Sequence, residues 1–200
     1  MNTVEAFNQA LFLSINGSAA TPHWVVGLAL VCAKYLVVLV PLLLVGMWLT
    51  GREEERGLAL RSCLAILLAL AVNGLIGLAW PHPRPFMIGL GHLFLPHAPS
   101  PSFPSDHATG IAALAVILLA GGQWWRGIVT VAVGVAVAWA RVFVGVHVPL
   151  DMLGAVVVGC LVCAALAPLW RWRGRALTQG AVALYGQLFA LPIRLGWLRP

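Results

Sequence analysis

The sequence predicts an all-α integral membrane protein, a bundle of about five transmembrane helices preceded by an N-terminal amphipathic helix. Hydrophobic residues make up 61% of the 200 residues, and charged residues make up only 9%. The mean hydropathy is +0.94, far outside the range of soluble domains. Several apolar runs are long enough to cross the ~30 Å hydrocarbon core of a bilayer. A chain of this length forms one domain, so residues 1–200 are predicted to be a single membrane domain.

Residues 1–17 are predicted to form the amphipathic helix, which lies in the membrane interface. Its polar residues occupy a different helical face from its apolar residues. The segment lacks the basic start of a cleavable signal peptide, so we expect the first span itself to direct membrane insertion. The apolar residues that recur at helical spacing are Phe7, Leu11, Phe12 and Ile15.

Five apolar runs follow, and each is interpreted as one transmembrane span. The first contains Lys34, and a charge inside a span is by default a functional group. The alternative is a lysine that reaches the membrane surface or pairs within the bundle. The third run is short for a complete span, so we expect its ends to lie deep in the protein. The runs cover residues 24–49, 58–80, 107–119, 127–146 and 149–169.

Two polar segments complete the chain. Residues 81–105, hereafter the outer loop, are rich in proline and join the second and third spans. A loop of this length inside a compact protein is usually functional. Residues 170–200 form a tail that mixes arginine, glutamine and glycine with apolar residues. We predict that the tail is cytoplasmic and that residues 176–197 lie in the interface rather than form a sixth span.

The excess of basic residues is explained by membrane topology. The chain has twelve Lys and Arg against six Asp and Glu, a balance that also occurs in nucleic-acid-binding proteins. Here, however, the arginines flank apolar runs, so we expect no nucleic-acid partner. By the positive-inside rule, the outer loop and the loop between the fourth and fifth spans lie outside, where only Arg84 and Arg141 are found. The predicted cytoplasmic side holds Arg52, Arg56, Arg61, Arg126, Arg171, Arg173 and Arg175.

A polar hinge at residues 101–107 opens directly onto the third span. Ser105 is predicted to be the N-cap of that helix, with Asp106 and His107 in its first turn. A helix N-terminus presents unpaired backbone N–H groups and a partial positive charge, which attract anions. His107 could therefore exchange a proton with an anion that binds there.

A second pair of titratable residues opens the fifth span. Asp151 follows His147 by four residues, so one helical turn brings the carboxylate against the imidazole. Pro149, between them, suits the first turn of a helix. An Asp–His pair fixes the imidazole tautomer and stabilises the imidazolium. Arg141 stands six residues before His147, at the outer end of the fourth span.

Six polar residues are thus predicted to gather on the outer side of the membrane. Two guanidiniums, a hydroxyl and a helix N-terminus suit the oxygens of a phosphoryl group. Two histidines suit a displacement in which one attacks and the other protonates the leaving oxygen. No carboxylate cluster is available for a metal ion, so we predict a metal-independent phosphoryl transfer through a phosphohistidine, with no cofactor. The six residues are Arg84, Ser105, His107, Arg141, His147 and Asp151.

The spacing of these residues resembles the three signature motifs of the type 2 phosphatidic acid phosphatase (PAP2) superfamily. The resembling stretches are Arg-Pro at 84–85, Pro-Ser-Asp-His at 104–107 and Arg-x5-His-x3-Asp at 141–151. The resemblance covers residues 58–169, the predicted catalytic bundle. It implies that His147 is the nucleophile, Asp151 its orienting partner and His107 the general acid. It also implies that the phosphoryl group is bound by Arg84, Ser105 and Arg141.

The chain departs from the family pattern at two positions. The first motif usually has a lysine seven residues before the arginine, where this chain has Gly77, and the third motif often begins with a serine, where it has Ala140. One phosphate-binding cation is therefore missing or replaced. The candidate accessory residues are His82 and Lys34 as replacements, His97 at the entrance to the site, and Asp106 beside the general acid.

Within the superfamily, the segments 81–86 and 91–99 resemble the bacitracin-resistance branch, whose members are bacterial undecaprenyl-diphosphate phosphatases. The resemblance implies a polyprenyl diphosphate lipid as substrate, removal of its terminal phosphate, and a role in peptidoglycan synthesis. It further implies a multi-pass protein of the bacterial inner membrane with its active site on the periplasmic face. A headgroup at the interface and a tail in lipid also suit a site at the ends of spans.

Two other functions fit parts of the same pattern. A phosphatase for other lipid phosphates, such as phosphatidylglycerophosphate or phosphatidic acid, would use the same phosphoryl-binding residues. A non-catalytic phosphate- or lipid-binding membrane protein or transporter would use the arginines and histidines only to hold a phosphate. Such a protein has no use for a histidine oriented by an aspartate, which favours an enzyme.

Overall fold

The computed structural model describes residues 3–199 and is helical throughout its regular structure. Two 3₁₀ turns, Leu36–Val38 and Pro85–Ile88, supplement the α-helices. The helices are α1 (Thr3–Ile15), α2 (His23–Tyr35), α3 (Leu39–Thr50), α4 (Glu53–Ala79), α5 (Asp106–Ala120), α6 (Trp124–Phe143), α7 (Pro149–Leu188) and α8 (Ala190–Arg194).

The predicted all-α membrane architecture is confirmed. Within residues 3–199, four helical stretches are long and apolar enough to cross a bilayer, and α5 is a shorter apolar helix among them, as its sequence predicted. The spanning stretches are His23–Thr50, Glu53–Ala79, Trp124–Phe143 and Pro149–Leu188.

Helix α5 lies at the centre of the bundle, in contact with α4, α6 and α7. Apolar side chains are buried around its circumference, including Ile111, Leu114 and Ile117. Because it is enclosed by protein, α5 does not need the length of a lipid-facing span. Its N-terminus therefore stops where the outer loop enters the bundle, which places the hinge beside the other helix ends.

Helix α1 covers the outer end of the bundle, where it contacts α6 and α7. Phe12 is fully buried, and Asn8 Oδ1 accepts the Leu150 N–H at 3.1 Å, capping the first turn of α7. Phe7 remains 67% exposed. The predicted helix is confirmed, and its interfacial position stays a prediction.

The first predicted span is interrupted by the 3₁₀ turn at Leu36–Val38. Pro41, in the first turn of α3, lacks the N–H that would continue the α-helical hydrogen bonds to the preceding turn. Helix α4 begins at Glu53, five residues before the predicted 58, because three glutamates stabilise its first turn. The helix thus takes in residues 53–57, which lie between the first two predicted spans.

Helix α6 ends at Phe143, three residues before the predicted end of the fourth span. Gly145 adopts a φ of +84°, and a Cβ there would lie only 2.1 Å from the His92 carbonyl oxygen. Glycine is needed at this position for both reasons. The close approach lets the outer loop pair with the end of α6, where the Phe94 N–H donates to the Val144 carbonyl at 3.0 Å.

The helix of the fifth predicted span does not end at residue 169, since α7 runs for 40 residues from Pro149 to Leu188. Its length of about 60 Å is twice the hydrocarbon thickness. Arginines at 171, 173 and 175 end the apolar run, but they are good helix formers and do not end the helix. The ring centroids of Tyr185 and Trp48 lie 5.9 Å apart, beside the inner ends of α3 and α4. The interfacial position of the tail stays a prediction.

Close contact between α5 and α7 depends on Gly159. A Cβ at this position would lie 3.1 Å from the Ala113 nitrogen and 3.2 Å from the Ala112 Cβ. We expect Gly159→Leu to destabilise the protein by about 1–3 kcal/mol because the helices must separate. The matched control is Gly180→Leu in the same helix, where a Cβ meets nothing within 4 Å. Thermal unfolding in detergent, followed by circular dichroism, measures both, and equal midpoints for the two variants would contradict this packing role.

Candidate active site

The predicted site residues converge at the outer end of the bundle. The outer loop, the N-terminus of α5 and the turn between α6 and α7 meet there. The six residues predicted to carry the chemistry lie on these elements, in the last turn of α6 and in the first turn of α7. Four of them are almost fully enclosed, since Ser105, Asp151, His147 and Arg141 are each no more than 3% exposed.

The His147–Asp151 pair forms as its spacing predicts. Pro149 occupies the first position of α7, and His147 Nδ1 lies 2.9 Å from Asp151 Oδ2. The same carboxylate oxygen accepts the Val148 N–H at 3.0 Å, which caps the N-terminus of α7. An ionised carboxylate at this distance favours the tautomer in which Nδ1 carries the proton. The opposite ring nitrogen, Nε2, is then unprotonated.

Two arginines point at that opposite nitrogen. Arg84 Nη1 lies 3.1 Å from His147 Nε2, and Arg141 Nη2 lies 3.3 Å from it. Guanidinium groups only donate hydrogen bonds, so Nε2 must be the acceptor in both contacts. The ring is therefore held between a carboxylate on one side and two cations on the other. The lone pair of Nε2 therefore points to the place where the two guanidiniums would bind an anion.

Backbone carbonyls hold the Arg84 guanidinium in place. It donates to Val146 O at 2.9 Å, to Ser100 O at 3.1 Å and to Pro101 O at 3.1 Å. These bonds tie the outer loop to the turn before α7. Burial lowers the pKa of Arg84, while the carboxylates of Asp151 and Asp106 oppose that change. Arg84 stays a cation throughout the physiological range.

Ser105 occupies the N-cap position of α5, but the predicted capping hydrogen bond from its side chain is absent. Its backbone N–H donates to the Asp151 carbonyl at 3.3 Å, which directs the chain across the start of α7. The Ser105 Oγ is buried without a hydrogen-bond partner. A buried hydroxyl without a hydrogen-bond partner is energetically unfavourable. A ligand group that bound beside Ser105 could accept a hydrogen bond from this hydroxyl.

His107 is the second residue of α5, in its first turn, and is partly exposed. The charges of Arg141, Asp106 and Arg84 all act on its ring. Asp106 is fixed by Asn73, whose Nδ2 donates to Asp106 Oδ1 at 2.9 Å and to Thr109 Oγ1 at 3.0 Å. Nothing in the sequence pattern indicates that Asn73 belongs to this arrangement.

The side chains of the two residues considered as replacements for the missing lysine contact residues other than the predicted six. His82 Nε2 is 3.7 Å from Glu5 Oε2 on α1, and its ring packs against Trp80. The Lys34 ammonium lies 5.3 Å from the ring centroid of Tyr35 on its own helix, and the residue is exposed. Gly77 itself is buried, and a Cβ there would lie 3.3 Å from Pro101. The hinge therefore occupies the space into which a side chain at 77 would extend.

His97 lies on the outer loop, with its Nδ1 3.0 Å from the Ala98 carbonyl oxygen. Burial lowers the pKa of His97, the Ala98 carbonyl raises it, and the charges of Arg84 and Arg141 lower it further. The cation pair thus acts on His97 as it acts on His107. Among residues 3–199, His, Cys, Asp and Glu side chains do not gather in groups of three or more.

Ser102 also belongs to this cluster, and sequence analysis missed it. Its side chain is fully buried, and its hydroxyl contacts both Asp151 Oδ2 and His147 Nδ1. The only sequence signal was its place in the hinge, three residues before Ser105. Nothing in the local pattern distinguishes a serine that contacts a residue 49 positions away from one that faces solvent.

A sequence profile of the PAP2 superfamily matches residues 58–175, more than half of the chain. The chain belongs to this superfamily. The predicted resemblance is thereby confirmed, and the matched region contains the hinge, both arginines and the His147–Asp151 pair.

Relatives that match most of the chain point to one branch. The chain is 40% identical over 196 residues to "Putative undecaprenyl-diphosphatase YbjG" of Escherichia coli, covering 98% of this chain and 99% of that protein. It is 32% identical over 155 residues to the undecaprenyl-diphosphatase BcrC of Bacillus subtilis, covering 78% of this chain and 80% of that protein. The predicted similarity to the bacitracin-resistance branch is confirmed.

Solved structures support the fold. A PAP2-type phosphatidylglycerolphosphate phosphatase from Bacillus subtilis superposes with a TM-score of 0.63 at 22% identity, covering 84% of this chain and 87% of that chain. LpxE from Aquifex aeolicus superposes with a TM-score of 0.57 at 21% identity, covering 80% of this chain and 93% of that chain. At this level of identity the similarity concerns the architecture alone.

The surroundings of His147 predict how it titrates. Burial lowers the pKa of His147 to about 4, the pair with Asp151 opposes the change, and Arg141 and Arg84 reinforce it. Because the pKa is lowered, the neutral ring persists as pH falls and is lost only near pH 4. We expect the ¹⁵N resonances of His147 to keep the neutral pattern at pH 5.5, where an ordinary histidine is mostly protonated. Histidine-labelled protein in detergent, with His147→Gln for assignment, provides the measurement, and a midpoint above pH 6 would disprove the expectation.

Proposed function

We propose that this protein is an undecaprenyl-diphosphate phosphatase that removes the terminal phosphate of the isoprenoid carrier and so supports peptidoglycan synthesis. The observation that carries the proposal is the placement of His147 Nε2 between Arg84 and Arg141, with Asp151 on Nδ1. The names of the relatives with 40% and 32% identity support the choice of substrate. The lipid partner is therefore a polyprenyl diphosphate within the membrane.

The first step is transfer of the terminal phosphoryl group to His147. Arg84, Arg141 and Ser105 bind its oxygens and bring the phosphorus in line with Nε2. The Nε2–P bond forms as the P–O bond to the bridging oxygen breaks, and His107 donates a proton to the leaving lipid phosphate. Asp151 accepts the hydrogen bond from Nδ1 throughout and stabilises the positive ring.

The second step releases phosphate. His107, now neutral, accepts a proton from a water molecule, whose oxygen attacks the phosphorus of the phosphohistidine. The N–P bond breaks, its electron pair returns to Nε2, and inorganic phosphate leaves. The cycle ends with both histidines in their starting protonation states, and none of its proposed steps uses a metal or cofactor.

Membrane topology supports a location for the site. The chain is a multi-pass membrane protein, and its arginines outside the site cluster at the ends opposite to the outer loop. By the positive-inside rule, the site opens on the outer, periplasmic face of the bacterial inner membrane. A diphosphate headgroup at the bilayer surface reaches helix ends without leaving the interface.

A second candidate is a phosphatase for another lipid phosphate. The fold is shared with a phosphatase whose name gives phosphatidylglycerolphosphate as substrate. The phosphoryl-binding residues alone do not distinguish the two substrates.

Phosphate release from purified protein tests the proposal. We expect hydrolysis of undecaprenyl diphosphate to exceed that of phosphatidic acid, to persist in EDTA, and to fall at least ~10²-fold in His147→Ala and Asp151→Asn. Preference for the glycerolipid would favour the second candidate. Full activity in His147→Ala would exclude the phosphohistidine route, and a strict need for Mg²⁺ would exclude the metal-independent one.

The role of His107 predicts a dependence on the leaving group. A lipid monophosphate is a weaker base than the alkoxide that leaves from phosphatidic acid, so it needs less protonation. We expect His107→Ala to slow hydrolysis of undecaprenyl diphosphate less than that of phosphatidic acid, by about 10-fold in the ratio of the two losses. Parallel kcat measurements on both lipids give the ratio, and equal losses would remove His107 from the leaving-group side.

A further inference from the structure

Ser102 occupies a position on the hinge from which its hydroxyl contacts both members of the Asp–His pair. Its Oγ donates to Asp151 Oδ2 and lies 3.3 Å from His147 Nδ1. The residue is 0% exposed. It touches the side of the ring opposite to Nε2, so it does not reach the phosphoryl group.

Three neighbouring contacts fix the backbone of Ser102. Its N–H donates to the His82 carbonyl at 2.8 Å, and the preceding carbonyl, Pro101 O, accepts from Arg84 at 3.1 Å. On the other side, Phe103 packs so closely on Gly154 that a Cβ there would lie 2.2 Å from the phenyl ring. The hydroxyl is therefore delivered to Asp151 by a segment with little freedom to move.

The hydrogen bonds of Asp151 are unequal. Oδ2 accepts from Ser102 Oγ, His147 Nδ1 and Val148 N, whereas Oδ1 is buried without a partner. A carboxylate that is free to rotate would exchange its two oxygens. Three donors on one oxygen fix which oxygen faces the imidazole. Of these three donors, the Ser102 hydroxyl is the only one that comes from outside the turn at residues 147–151.

We propose that Ser102 is a positioning residue of this site. Its hydroxyl holds Asp151 Oδ2 against His147 Nδ1, so that the ring keeps Nε2 directed at the phosphoryl group. The expected loss of activity rests on the proposed function. The expected effect on the His147 ring rests only on the hydrogen-bond geometry. Ser102 acts through Asp151 and makes no contact with the substrate.

The kinetic test compares Ser102→Ala with a matched control. We expect kcat to fall about 10-fold while KM changes less than about 2-fold, since binding groups remain in place. Ser62→Ala is the control, because Ser62 is also 0% exposed and its hydroxyl has no partner, far along the chain in α4. Equal kcat values for Ser102→Ala, Ser62→Ala and wild type would overturn the proposal.

A double variant tests whether Ser102 acts through Asp151. We expect Ser102→Ala in the Asp151→Asn background to change kcat by less than about 2-fold, because the positioned carboxylate is already lost. A further loss of about 10-fold would show that Ser102 acts by another route and would overturn the proposal. Thermal midpoints in detergent establish that each variant is folded.

A second measurement does not require turnover. The Nδ1 proton of His147 reports its hydrogen bond to Asp151, and among the six histidines it is assigned by its loss in His147→Gln. We expect its proton resonance to move upfield in Ser102→Ala and to stay in place in Ser62→Ala. An unmoved resonance overturns the proposal. A moved resonance in a protein that hydrolyses no lipid phosphate would reject the proposed function and retain the positioning role.

Discussion

The outer end of this protein depends on the carboxylate of Asp151. One oxygen binds the imidazole of His147 at 2.9 Å and the N–H of Val148 at 3.0 Å, so the same group orients the ring and caps α7. Asp151 is 0% exposed and His147 is 2% exposed, which excludes water as a substitute partner. A buried charge without its partner is strongly destabilising, so the turn before α7 and the ring position are fixed together.

The two arginines complete a site that is prepared for an anion. Arg84 and Arg141 both approach the same ring nitrogen, and their like charges oppose each other in a buried environment. Carbonyl oxygens of the hinge and of Val146 hold Arg84, while Arg141 lies 3.4 Å from Ala33 O. A bound phosphoryl group would relieve the repulsion, and its binding would require little reorganisation, which is the condition for electrostatic stabilisation of a transition state.

The long apolar runs of the chain determined most of the fold in advance, because a helix satisfies all of its own backbone hydrogen bonds in lipid. The apolar runs therefore located α2 to α7, and the short, buried α5 was expected from its length. Helix ends were harder to place, since charge ends an apolar run without ending a helix. The arginines at 171, 173 and 175 and the glutamates at 53, 54 and 55 both lie within helices, so α7 extends and α4 begins beyond the predicted limits.

The sequence by itself determined the local part of the site. His147 and Asp151 are four residues apart on one helical turn, and this spacing requires no knowledge of the rest of the chain. Tertiary structure alone decided the contacts between distant segments, such as Ser102 with Asp151, because hydropathy and spacing carry no information about which loops meet. It also decided that His82 pairs with Glu5 and that the hinge fills the space beside Gly77. The chain's covalent order fixes neighbours along a helix, whereas packing selects neighbours across the bundle.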